Sequence, residues 1–66
     1  MDAKAIGARL RELRGNRSQQ EVADALGLSK AAISLYEIGQ RVPSDEVKAA
    51  MAEYFGSTVG SIFFDE

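Results

Sequence analysis

The stretch ADALGLSKAAISLYEIG, from Ala23 to Gly39, restricts the fold more than any other part of the chain. Apolar residues at helical spacing run up to Gly27 and resume after Ser29, so one helix ends, the chain turns tightly and a second helix begins. Three positions in it carry steric demands. Ala23 is small where the two helices approach most closely, Gly27 supplies the positive φ that turns the chain, and Ile33 fills the wedge between the helices. A helical hairpin in general does not need all three. The second helix also poses a question. At about 100° per residue, Ser29, Ile33, Tyr36 and Glu37 share one side, while Ala31, Leu35 and Ile38, flanked by Ser34, share the other. Ile33 and Tyr36 are core residues on this reading, which leaves the second apolar face to be explained.

The remaining pattern is helical throughout, with no strand-like alternation and a single proline, Pro43. Ile6, Leu10 and Leu13 mark a first helix that Asp2 caps and that stops near Arg14, because Gly15 and Asn16 tolerate a left-handed C-terminal turn. SQQE, from Ser18 to Glu21, is a capping box for a second helix buried through Val22, Ala23 and Leu26. Ser29 caps the third, with Leu28 and Ile33 placed as a hydrophobic staple, and Gly39 ends it. Pro43 and Ser44 open a fourth, whose Asp45 and Glu46 suit its N-terminal dipole. Its inward stripe is expected to be Val47, Ala50, Met51, Tyr54 and Phe55, closed by Gly56. A short fifth helix, capped by Ser57 or Thr58, turns Val59, Ile62 and Phe63 inward. The expectation is an all-α, compact five-helix fold: one domain over residues 1–66, with no linker and no internal repeat.

Composition narrows the function. A 66-residue chain buries a thin core, and the usual supports for so small a fold are disulfides, a metal or oligomerisation. Cysteine and histidine are both absent, which removes disulfides, ordinary zinc sites and the Ser/His or Cys/His nucleophile pairs. A partner chain is the support that remains, and neither an enzyme nor a cofactor is expected. No apolar run approaches the roughly 18 residues of a membrane span, and no signal-peptide pattern opens the chain, so a cytoplasmic protein without a membrane partner is expected. The net charge of −2 divides unevenly. Residues 1–44 hold seven Lys/Arg against five Asp/Glu, and residues 45–66 hold one against five, giving +2 and −4. A weakly basic front can meet a polyanion despite an acidic back.

A helix, a glycine-containing turn and a second helix form the helix-turn-helix arrangement, here over approximately residues 19–38. With IGARLRELR, SQQEVADALGLSKAAISLYEIGQRVPS and FGSTVGSIF, the chain closely resembles the lambda-repressor-like family of Cro and phage repressors, XRE-like proteins included. The likeness covers nearly the whole sequence. It departs from the family in a shorter first loop, GNR, and in Arg17, which stands where an apolar residue is usual. The resemblance implies that the third helix enters the major groove of double-stranded DNA, with Lys30, Ala31, Ser34 and Leu35 facing bases. It implies phosphate contacts from Gln19, Arg41 and the backbone N–H groups after Gly39, with Gly39 and Gln40 the positions named for them. Arg14 and Glu37 match a family pair that ties the first helix to the end of the third, an architectural role. Lys30, Gln19 and Ser34 each have a plainer reading as solvated surface residues.

Three accounts of the outer apolar face compete. Its side chains pack on thymine methyl groups, the hydrophobic feature of the major groove; or they bind a protein; or they are ordinary surface residues. The family often carries a long polar or basic side chain at the Leu35 position. One helix reads only a few base pairs, so pairing of two protomers on half-sites about 34–36 Å apart is expected. The candidate dimer surface is Ser57, Thr58, Val59 and Phe64; the plainer reading of Phe64 is closure of the core. These readings converge on a dimeric transcriptional repressor of a short palindromic operator, with no small-molecule ligand and a protein antagonist as a possible control. The alternative is a protein-interaction module, such as an antitoxin, with secondary DNA binding.

Overall fold

The computed structural model describes residues 2–65. Five helices follow one another: α1 (Ala3–Arg14), α2 (Gln19–Leu26), α3 (Lys30–Glu37), α4 (Asp45–Phe55) and α5 (Val59–Phe63). Among the described residues there is no strand, no helix long and apolar enough to cross a membrane, and no His/Cys/Asp/Glu cluster that could hold a metal.

Every helix begins at a polar cap that sequence chemistry dictates. Asp2 accepts the Lys4 and Ala5 N–H groups, and Ser18, Ser29 and Ser44 accept from Glu21, Ala32 and Val47. Thr58, rather than Ser57, caps α5. At Ser18 the box is half-formed: the serine oxygen takes the Glu21 N–H at 3.0 Å, while the Ser18 N–H makes no return bond to the Glu21 carboxylate among the described residues. Each such cap is worth about 1 kcal/mol. At the other ends, Gly27 and Gly56 lie in the left-handed region at φ of 68° and 66°, where the Leu28 and Ser57 N–H groups reach back to Ala23 and Ala52 carbonyls.

The core joins Ile6 and Leu10 of α1, Val22 and Ala23 of α2, Ile33 and Tyr36 of α3, Met51 and Ala52 of α4, and Ile62 and Phe63 of α5. One expectation for α4 is corrected: Ala50 is exposed, while Val47, Met51, Tyr54 and Phe55 pack on the core as expected, joined by the buried Ala52 and Lys48. The buried face is centred on Lys48, Met51 and Ala52, with Val47, Tyr54 and Phe55 half-buried at its margins. The Lys48 stem lies in the core and its Nζ sits 5.7 and 5.2 Å from the ring centroids of Phe63 and Phe64, with Asp45 at 3.7 Å. A long basic side chain can bury its methylenes while its charge faces aromatic rings.

Gly7 fixes how α1 crosses α3. A Cβ placed there would lie 2.3 Å from the Glu37 carbonyl oxygen and 2.6 Å from that of Tyr36. Only glycine lets the two backbones come this close. The short first loop is sealed by Arg17, whose guanidinium donates to the Leu13 and Arg14 carbonyls at 2.7 and 3.1 Å. The same group lies 5.1 Å from both the Tyr54 and Phe55 ring centroids. An arginine thus does the covering expected of an apolar residue and also caps the end of α1.

Candidate nucleic-acid interface

The α2–α3 pair is assembled as its spacing requires. Ala23 has no accessible surface, Ile33 is buried between the helices, and Leu28 is half-buried against the same core. This packing consumes one side of α3 and leaves the other outward. Lys30 and Ala31 are exposed, Ser34 and Leu35 half-buried, and Ile38 is 56% exposed. Val42, in the segment that follows, adds another exposed apolar side chain. The four residues expected to face bases therefore share one surface, with Lys30 its cationic end.

α3 closes through Gly39 at φ 77°, whose N–H donates to the Tyr36 carbonyl at 3.2 Å, while Gln40 N–H donates to Leu35 at 3.0 Å. Both donors expected to hold phosphate are thus engaged inside the protein. Beyond them, Arg41 is exposed, and the Arg41 and Val42 N–H groups make no hydrogen bond among the described residues. The donors open to an anion in this segment have moved one or two residues along the chain. Gly39 is also pressed against α1: a Cβ there would lie 2.9 Å from the Lys4 Cα.

Arg14 and Glu37 meet as a two-pronged pair. Arg14 Nε donates to Glu37 Oε2 at 2.7 Å and its Nη2 donates to Oε1 at 3.0 Å. Arg14 Nη1 turns to the Arg17 carbonyl at 2.8 Å. The Glu37 side chain is 5% exposed and that of Arg14 17%. Burial alone would push the Glu37 carboxyl up. Hydrogen bonds from Arg14 and Gln19, with the charges of Arg14 and Arg11, outweigh it and hold the carboxyl below its ordinary value. The hydrogen bond to Glu37 raises Arg14 against the opposing pull of burial. Gln19, expected at a phosphate, donates its Nε2 to Glu37 Oε1 at 2.9 Å. The sequence reading missed this bond, because positions 19 and 37 meet only once α2 and α3 are packed.

The residues proposed for a dimer surface do not form one apolar patch. Ser57 and Val59 are half-buried, Val59 against the core, and the Thr58 hydroxyl is occupied by Ser61, accepting its N–H and donating to its Oγ at 3.0 Å each. Phe64 is 51% exposed. Beside α5 runs a groove of about 460 Å³ lined by Arg9, Glu12, Leu13, Ser57, Ser61 and Ile62.

The helix-turn-helix domain family matches this chain over residues 5–60, which takes in all of α2, the turn and α3. The chain belongs to the helix-turn-helix domain family. Among solved structures it is similar to the clp gene regulator ClgR from C. glutamicum, with 27% identity, a TM-score of 0.81, and coverage of 98% of this chain and 87% of that one. A comparison with curated proteins gives no significant match. The helix-turn-helix likeness takes in α1 from residue 5 onward and all of α4, so Gly7 and the Arg14–Glu37 pair lie within the matched region. Gly7 and Lys48 are structural residues that the sequence pattern does not single out.

Proposed function

We propose that this helix-turn-helix protein is a sequence-specific transcriptional regulator of double-stranded DNA, acting as a homodimeric, non-enzymatic, cytoplasmic repressor on a short palindromic operator. Residues 1–66 act as one domain. The observation that carries the reading is the outward face of α3, where Lys30, Ala31, Ser34 and Leu35 lie together while Ile33 and Tyr36 hold the helix from behind. Family membership and the likeness to a gene regulator support it.

In this reading α3 lies in the major groove, with Lys30 reaching a guanine edge or a phosphate. Leu35, with Ala31 and Ile38 beside it, packs on thymine methyl groups, so the operator carries A·T pairs beneath Leu35. Few side chains on this face hydrogen-bond to bases, so DNA shape and phosphates carry much of the affinity. Arg41, the free N–H groups of residues 41 and 42, and Gln19 supply phosphate contacts. Two-fold pairing brings the α5 ends together around Phe64, with Ser57, Thr58 and Val59 beside it.

A gel-shift with the DNA upstream of the protein's own gene tests the reading, with a specific shift expected. No specific shift at low salt, together with tight capture of a neighbouring gene's product, would overturn it. The second outcome belongs to a protein-interaction module, such as an antitoxin, a reading favoured by the exposed Ile38 and Val42. Lys30→Ala is expected to weaken DNA binding about tenfold while leaving the melting temperature unchanged. Unaltered affinity would mean that α3 docks differently.

A further inference from the structure

We propose that Glu37, held by Arg14, is a positioning residue that orients the Gln19 side chain for a phosphate contact. The proposal rests on the DNA-binding reading above. It starts from what a carboxylate can do. The Glu37 carboxylate accepts hydrogen bonds and donates none. Its Oε1 lies 2.9 Å from the Gln19 amide nitrogen, so the carboxamide must turn its NH₂ end toward Glu37. One amide hydrogen is then spent, and the second hydrogen and the carbonyl oxygen keep a fixed direction.

Gln19 is the first residue of α2. The leading N–H groups of a helix lack partners inside it and favour an anion. The Ser18 hydroxyl takes the Glu21 N–H, and no bond among the described residues occupies the Gln19 or Gln20 N–H. A fixed Gln19 amide beside those donors presents several N–H groups on one side of the α2 start. Left alone, the Glu37 charge would repel a phosphate there. The two-pronged Arg14 contact offsets that charge, and Arg11 adds a further positive contribution at Glu37. A glutamine ordered before binding also loses less side-chain freedom when DNA arrives. Glu37 therefore acts on the DNA through Gln19 and does not touch it.

The test uses a duplex selected by the wild-type protein from a randomised pool, then remade with one phosphate at a time replaced by a neutral methylphosphonate. Affinities are measured for wild type, Gln19→Ala, Glu37→Gln and Glu37→Asp, each checked for folding by circular dichroism at the assay temperature. Wild type is expected to lose about tenfold at one phosphate per half-site. Gln19→Ala should be insensitive at that phosphate, and the folded Glu37 variants should lose the same sensitivity while keeping that at other phosphates. A purely architectural Glu37 would lower affinity and leave the sensitivity pattern unchanged, which would overturn the proposal. So would identical patterns for wild type and Gln19→Ala.

A measurement on the wild type alone keeps the proposal open to failure if both Glu37 variants unfold. The Gln19 side-chain amide resonance should be rigid in the free protein and shift on adding the duplex. A mobile amide in the free protein would overturn the positioning role. If wild type selects no duplex at all, the DNA-binding reading itself falls and the proposal with it.

Discussion

Two arginines on α1 each tie that helix to another, and their bonds are nearly the same length. Arg14 reaches Glu37 at 2.7 Å, and Arg9 reaches Asp65 at 2.8 Å while also donating to the Ile62 carbonyl at 2.9 Å. Their surroundings differ. The Glu37 side chain is 5% exposed, whereas that of Asp65 is 86% exposed. Water screens the second pair and is largely excluded from the first, which is also two-pronged where the second makes one bond, so similar distances carry unequal weight. The α1–α3 seam is also locked by the backbone approach at Gly7. Of the two seams, the more tightly held lies behind the face proposed to meet DNA.

Breaking the buried pair should have the largest effect. Arg14→Met strands the Glu37 charge and is expected to cost about 3–5 kcal/mol, enough to unfold much of so small a chain. Urea denaturation measures it, and a loss below about 1 kcal/mol would make the two seams alike. Gly7→Ala comes next, at about 3 kcal/mol, since a methyl group must push apart backbone that cannot yield. A milder loss in thermal melts would mean that α1 can slide on α3.

Acid sharpens the comparison further. Because the folded-state pKa of Glu37 is held below its ordinary value of 4.5, its contribution is complete above that value and is lost as pH falls through the folded value. Stability followed from pH 6 to pH 2 should therefore decline on the acid side, and the decline should be shallower in Glu37→Gln. The smallest effect is expected from Asp65→Asn, which should move the melting temperature by about 4 °C or less. A larger drop would show that the exposed seam carries load.

Much of this architecture was legible because it is local. Caps at Asp2, Ser18, Ser29 and Ser44, and the glycine turns after α2 and α4, follow from residues within four or five positions of one another. Ala23, Gly27 and Ile33 were also readable, since their spacing encodes one particular contact between adjacent helices. What escaped depends on distant chain segments. Gly7 in mid-helix reads only as a weak helix former until α3 arrives against it. The α4 stripe holds at Val47, Met51, Tyr54 and Phe55 and fails at Ala50, because alanines at 49, 50 and 52 give the pattern little contrast on either side. Lys48 was passed over because its charge hides a buried stem. The Arg14–Glu37 pairing came from resemblance and its geometry agrees, whereas the third member, Gln19, needed coordinates. That helix closure uses the Gly39 and Gln40 N–H groups, leaving those of residues 41 and 42 open, also needs coordinates.

The contact between Gly39 and Lys4 makes position 4 a place from which to watch docking. Lys4 is exposed in the first turn of α1, and its backbone fills the space a side chain at Gly39 would need. A small environment-sensitive dye carried by Lys4→Cys would sit beside the turn that closes α3 and report docking there, while a bulky affinity handle at the same point would stand in the way.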